Sequence, residues 1–192
     1  MIPRPIIYIN GFPGVGKYTV GRHLATLLAP LNGKLVHNHL LINPADAVLT
    51  RSQPGYQALR RAVRSAIFSA LVLEPATHDS VYVFTDFQSQ NELGKSVCDE
   101  YTAAATARGC IFVPVVMTCG LDENMERLVS YERAEHKKLT NVELARKFRT
   151  QEDVYRFEDQ PALLEIDVTE LEPEVVANRI FEHVLELIGK MD

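Results

Sequence analysis

The stretch Gly11-Phe12-Pro13-Gly14-Val15-Gly16-Lys17-Tyr18-Thr19 stands between an apolar run, Ile6-Ile7-Tyr8-Ile9, and an amphipathic segment from Val20 to Leu28. Strand, glycine loop and helix in that order make a loop that wraps phosphate oxygens. Consecutive backbone N–H groups turn inward, and the helix N-terminus adds a partial positive charge. Glycine is needed where the backbone must approach the anion closely or adopt φ values that other residues avoid. Lys17 supplies a cation for the outer phosphates. The residue after the lysine is Ser or Thr in the usual pattern, whose hydroxyl reaches magnesium; here it is Tyr18.

Apolar runs alternate with helical periodicity along the rest of the chain. Strands are expected at 6–10, 34–37, 80–86, 110–117 and 163–166. Helices are expected at 16–29, 55–73, 90–107, 121–136 and 141–152, with a last one carrying Pro173 in its first turn and Val176, Ile180, Val184 and Leu187 on its buried face. In 55–73 the spacing of Leu59, Ala62, Val63, Ala66, Ile67, Ala70 and Leu71 predicts the buried stripe. Pro114, inside the fourth strand, is restricted by a sheet ladder. Strands that are nearly continuous apolar runs are covered on both faces, and strand–helix alternation implies parallel pairing with right-handed crossovers. The expected fold is α/β, a three-layer α/β/α sandwich of about five parallel strands, with 119–158 as a helical lid within one domain spanning 1–192. Ligands in such sheets bind beyond the carboxyl ends of the strands.

An apolar content of 46% is enough for a substantial core, and the net charge of −5 with no basic block argues against a nucleic-acid partner. Cys98, Cys110 and Cys119 lack metal-type spacing, and their odd number fits reduced thiols. The N-terminus has no signal-peptide architecture and no apolar run reaches membrane length, so a cytoplasmic protein, monomer or homodimer, is expected.

Several groups should converge at the carboxyl edge. Asp86, ending the third strand, reads as a magnesium ligand or as a helix N-cap. Gln88 follows it with a neutral hydrogen-bonding group. His37, Asn38 and His39 close the second strand; two histidines at i, i+2 on extended chain share a face and suit an acceptor site or acid–base work. Arg60 and Arg64 lie four residues apart opposite the predicted stripe, either as a solvated face or as anion-binding groups for the acceptor. In 119–158, Arg127, Arg133, Lys137 and Lys138 could close over a triphosphate, with Arg146 and Arg149 as weaker candidates.

With these residues in view, the chain resembles the P-loop small-molecule and nucleoside-monophosphate kinases, a group that includes adenylate and shikimate kinases. The specific part is Gly11 to Thr19, which is similar to the Gly-X-Pro-Gly-X-Gly-Lys-X-Thr of adenylate kinases; the remaining similarity is in element order. The resemblance implies that Gly11, Pro13, Gly14, Val15, Gly16, Lys17, Tyr18 and Thr19 form the donor site, with Thr19 at the α-phosphate. It also implies that Arg127 stacks on adenine, that Arg133 is a lid arginine and that Asp167 to Pro173 line the adenine pocket. The acidic Asp-X-Asp of shikimate kinases is replaced by His37-Asn38-His39. The Asp-Gly-Phe-Pro-Arg of adenylate kinases appears as Asp86-Phe87-Gln88-Ser89-Gln90 with no arginine.

The expected activity is ATP- and Mg2+-dependent transfer of the γ-phosphoryl group to a hydroxyl or phosphate of a small molecule. Lys17, Asp86 and Arg133 would be the catalytic set, with Asp86 at the metal, and His37, Asn38, His39, Arg60, Arg64 and Gln88 on the acceptor side. The alternatives are a nucleoside-monophosphate kinase and a non-catalytic ATP-binding regulatory module.

Overall fold

A computed structural model describes residues 2–128, 149 and 152–190. Five strands, β1 (Ile6–Gly11), β2 (Lys34–His37), β3 (Tyr82–Asp86), β4 (Phe112–Thr118) and β5 (Leu164–Asp167), form one parallel sheet in the order β2-β3-β1-β4-β5. β1 is central. It pairs with β3 up to Asn10↔Asp86 and with β4 up to Gly11↔Met117, so the phosphate loop leaves the middle of the carboxyl edge.

Alternate strand residues feed two cores. Ile7, Ile9, Val83, Val115 and Met117 pack against α1 (Lys17–Leu27) and α6 (Pro173–Gly189) through Val20, Leu24, Val176, Ile180 and Val184. Ile6, Tyr8, Tyr82, Phe84, Phe112 and Val116 pack on the other face, against α2 (His39–Asp46), α3 (Tyr56–Leu73) and α4 (Glu92–Arg108) through Leu41, Phe68, Leu71, Val97 and Tyr101. Both faces being covered explains why the strands read as apolar runs. A further helix, α5 (Leu121–Leu128), follows β4. Val154 and Phe157, within the stretch assigned to the lid, are buried in the second core, and Ser89 bridges Val154.

Pro114 is accommodated because β5 joins β4 only from Val115 onward. The bond from Ile6 N–H to the Ile111 carbonyl, 3.0 Å, sets the ladder phase, so odd-numbered β4 residues face β1 and Pro114 turns its missing N–H the other way.

Two sequence expectations are corrected. His39, read with His37 on extended chain, instead opens α2 (His39–Asp46), to which no element had been assigned; Asn38 turns into the right-handed helical region (φ −52°, ψ −35°), so His37 and His39 do not alternate along a strand. Pro44 and the short length hid this helix. On α3 the buried line is Tyr56, Arg64, Phe68 and Leu71, whereas Ala62, Ala66 and Ala70 are exposed and Ile67 is 37% exposed. The face is rotated because the two aromatic rings fill more core volume than the alanines. An ion pair also lets an arginine go inside: Arg64 is 4% exposed, and its Nε and Nη2 donate to the two Glu100 oxygens at 2.8 and 3.1 Å, with Arg61 Nε 3.3 Å from the same carboxylate.

Removing one partner of a buried pair strands the other's charge. Glu100→Ala is therefore expected to destabilise the fold by about 3 kcal/mol in equilibrium denaturant unfolding, and a cost no larger than that of an exposed pair would contradict this account of α3.

Candidate functional site

The loop between β1 and α1 is shaped by two left-handed glycines, Gly14 at φ +94° and Gly16 at φ +96°. A Cβ on Gly11 would lie 2.6 Å from the Met117 carbonyl oxygen, and one on Gly14 would lie 2.6 Å from Asn124 Nδ2. At Gly16 a Cβ would meet open space within 4 Å. Helix α1 starts at Lys17 with no acidic residue in its first turn and no side-chain cap, leaving the dipole end for an anion. Pro13 is half-buried, and Val15 anchors the loop in the core. The Lys17 ammonium donates to the carbonyls of Gly11 and Phe12. Thr19 is half-buried in the first turn of α1.

Asp86 ends β3 beside β1 and is 2% exposed. One carboxylate oxygen accepts the Phe87 N–H at 2.8 Å, and the other accepts Gln88 Nε2 at 2.7 Å. Burial pushes the Asp86 carboxyl above its ordinary value; the Arg60 charge, the bonds from Gln88 and Phe87, and the Arg64 charge pull against it. Arg60 is half-exposed, but its Nε is buried and makes no hydrogen bond among the described residues. Its charge thus acts on Asp86 while that donor is unsatisfied. Arg64, expected on an open face for an acceptor, is instead committed to Glu100.

His37 ends β2 with its ring 5.1 Å from that of Tyr18, edge to face, and His39 opens α2 with its ring 6.3 Å from His37. His39 Nδ1 lies 3.2 Å from Asn43 Oδ1. Asn38, between the histidines, is half-buried. Tyr18 thus leans toward the end of β2, with the Arg22 guanidinium 6.0 Å from its ring. On the opposite side of the loop, Arg127 bonds Glu123 and donates to the carbonyls of Val168 and Thr169, both at 3.1 Å, tying α5 to the chain after β5. Arg149 lies 4.6 Å over the ring of Phe12 and donates to the Cys119 carbonyl at 2.8 Å. Arg133, Lys137, Lys138 and Arg146 lie outside the described residues.

Two asparagines escaped the sequence reading. Asn10 makes four hydrogen bonds at the root of the loop, and Asn124 of α5 donates to the Pro13 carbonyl at 2.9 Å. Both are 0% exposed. Asn10 adjoins the glycine motif, a faint positional signal; nothing in the sequence marked Asn124.

The donor chemistry fits a hard cation. Magnesium prefers oxygen ligands and retains waters, and Asp86 offers a carboxylate next to the phosphate loop. No cluster of three His, Cys, Asp or Glu able to hold a metal exists among the described residues, so phosphate oxygens and water would complete the shell. Among the described residues no helix is long and apolar enough to cross a membrane.

The raised Asp86 value sets a pH dependence. The folded state holds the proton more tightly than the unfolded chain, so this contribution is full below the ordinary carboxylate value and is lost as pH rises through the raised folded value. Asp86→Asn should therefore raise the melting temperature at neutral pH, by about 2–4 °C for each kcal/mol relieved, and flatten that decline. Melting curves across the acid-to-neutral range check this, and a variant less stable at neutral pH would contradict it.

No family model matches the chain, and no curated protein matches it. Solved structures do. A putative kinase from Chloroflexus aurantiacus is similar with a TM-score of 0.67 at 16% identity, covering 97% of this chain and 98% of that one. The APS kinase of Mycobacterium tuberculosis is similar at TM-score 0.62 and 16% identity, covering 97% and 99%. The shikimate kinase of Acinetobacter baumannii is similar at TM-score 0.54 and 18% identity, covering 97% and 94%. Over nearly its whole length, the chain has the three-layer fold of these small P-loop kinases.

Proposed function

We propose that this protein is a phosphotransferase that moves the γ-phosphoryl group of ATP to a hydroxyl or phosphate on a small molecule. The observation that carries the reading is the loop itself: two left-handed glycines and Lys17 at the start of a helix, with a buried carboxylate at the end of the neighbouring strand. The structure of similar fold from Mycobacterium tuberculosis is a complex with AMPPNP and APS, and the one from Acinetobacter baumannii is a complex with shikimate. The first supports a nucleotide donor, and both support a small acceptor here.

In this reading the loop amides and Lys17 hold the β- and γ-phosphates, and Thr19 lies at the α-phosphate. Lys17 exchanges its bonds to the Gly11 and Phe12 carbonyls for phosphate oxygens. Magnesium would neutralise charge on the phosphates, and Asp86 would hold it. Arg127 and the chain after β5 border the adenine, and Arg133 is assigned to the transferring group from its place in the sequence alone. An acceptor oxygen forms its bond to the γ-phosphorus as the bond to the β–γ bridging oxygen breaks, ADP leaves, and the proton of a hydroxyl acceptor passes to Asp86 or His39 and on to water. Such a transition state asks mainly for positioning and charge. On the acceptor side, His37, Asn38 and His39 form one wall. Arg60 supplies a cation whose buried Nε is still open to an acceptor anion. Gln88 acts through Asp86, to which its side chain is already bonded.

Magnesium-ATP at 100 times its dissociation constant should stabilise the protein by about 2.7 kcal/mol, read as a rise in melting temperature, and Lys17→Ala should remove the rise. A coupled ADP assay over a panel of metabolites and nucleoside monophosphates then identifies the acceptor. Binding without turnover on any of them would instead favour a regulatory module. Once an acceptor is found, Arg60→Ala should raise its KM at least ten-fold with nucleotide binding unchanged; an unaltered KM removes Arg60 from the acceptor site.

A further inference from the structure

We infer that Asn10 is a positioning residue that fixes the Asp86 carboxylate relative to the phosphate loop, and so sets the affinity of the nucleotide complex for its divalent cation. The inference rests on the phosphotransferase reading. A primary amide has two donors and two acceptor lone pairs, and Asn10 uses all four. Its Oδ1 accepts the N–H of Gly11 at 3.0 Å and of Gln88 at 2.9 Å. Its Nδ2 donates to the carbonyls of Gln88 at 3.0 Å and Tyr155 at 3.1 Å.

The placement accounts for the need. The ladder between β1 and β3 ends at Asn10↔Asp86, because β1 then turns into the loop. Beyond that point β1 offers no further main-chain pairing to the turn that carries Asp86, which is held on its other side by 153–155, where Ser89 bridges Val154 and the Tyr155 N–H reaches the Gln88 carbonyl at 2.9 Å. The Asn10 side chain takes over as a strand neighbour would, receiving the N–H of Gln88 and donating to its carbonyl. Gln88, held at both main-chain groups, passes the constraint on through its own amide, which donates to Asp86 at 2.7 Å. The same Asn10 oxygen holds Gly11, the first residue of the loop. Carboxylate and loop are thus referenced to one buried group that touches neither nucleotide nor metal.

Residue type matters as much as position. Aspartate at this place would set oxygen against the Gln88 and Tyr155 carbonyls and bury a charge. An apolar residue would leave the N–H groups of Gly11 and Gln88 without their acceptor. Serine is too short to span the gap.

The test separates metal from nucleotide. A non-hydrolysable ATP analogue is titrated in excess chelator, and Mn2+, an oxygen-liganded stand-in for Mg2+, is then titrated into the metal-free nucleotide complex and followed by electron paramagnetic resonance. For Asn10→Ser the Mn2+ dissociation constant should rise at least ten-fold, while the metal-free nucleotide constant stays within three-fold. Gln88→Leu should do the same, and the double variant should be no weaker than the worse single one, because both lesions cut one path. Unchanged Mn2+ affinity, equal losses for metal and nucleotide, or losses that multiply in the double variant each overturn the inference. If Asn10→Ser does not fold, Gln88→Leu decides alone, since intact Mn2+ affinity there breaks the proposed path. Wild-type protein that binds no nucleotide overturns the phosphotransferase reading, and this inference with it.

Discussion

A loop that reserves N–H groups for an anion has few to spend on its own support (here Val15 N–H reaches the Phe12 carbonyl at 3.3 Å), so much of its shape must be imposed from outside. In this protein the imposing groups are buried side-chain amides. Asn10 secures the point where β1 becomes loop, and Asn124 holds the Pro13 carbonyl from α5. The left-handed glycines remove the steric obstacle to the conformation, but they do not select it. Selection comes from polar groups in a dry setting, where an unmade hydrogen bond is expensive. The Asn124 Oδ1, buried with no partner among the described residues, is a cost the fold carries to keep that amide in place.

The electrostatics of the carboxyl edge follow a similar economy. Burial works against Asp86 being charged, and the opposing Arg60 has a donor that is itself unsatisfied. Arg64, one helical turn on, is neutralised by Glu100 and so adds little net field. Among the described residues, Arg60 is thereby the stronger cationic influence on Asp86. Perturbed ionisable groups next to a glycine loop are a common mark of a reacting centre, and here the stability given up at Asp86 is balanced by two ordinary cores on either side of the sheet.

The strands and the loop were legible in the sequence because each carries its own local signal. Lys34–His37 was read to the residue, and β1, β3, β4 and β5 to within two residues at each end. The helix at 39–46 was not, since eight residues with an internal proline offer too little periodicity. The face of α3 was misplaced because periodicity counts alanines as core, whereas Phe68 and the Arg64–Glu100 pair decide which side goes in. Asn10 and Asn124 were invisible for a deeper reason: their roles consist of partners 78 and 111 residues away. The donor side of the site, being local in sequence, was readable, whereas its supports are tertiary.

The closeness of Gly14 to Asn124 has an evolutionary side. The space a Cβ would need at Gly14 is filled by the Asn124 side chain and carbonyl. A substitution in the loop and a substitution on α5 are therefore not independent events. A lineage that drifted at one position would have to drift at the other in the same step or lose the loop. The two positions should be inherited as a unit, although more than a hundred residues of chain separate them.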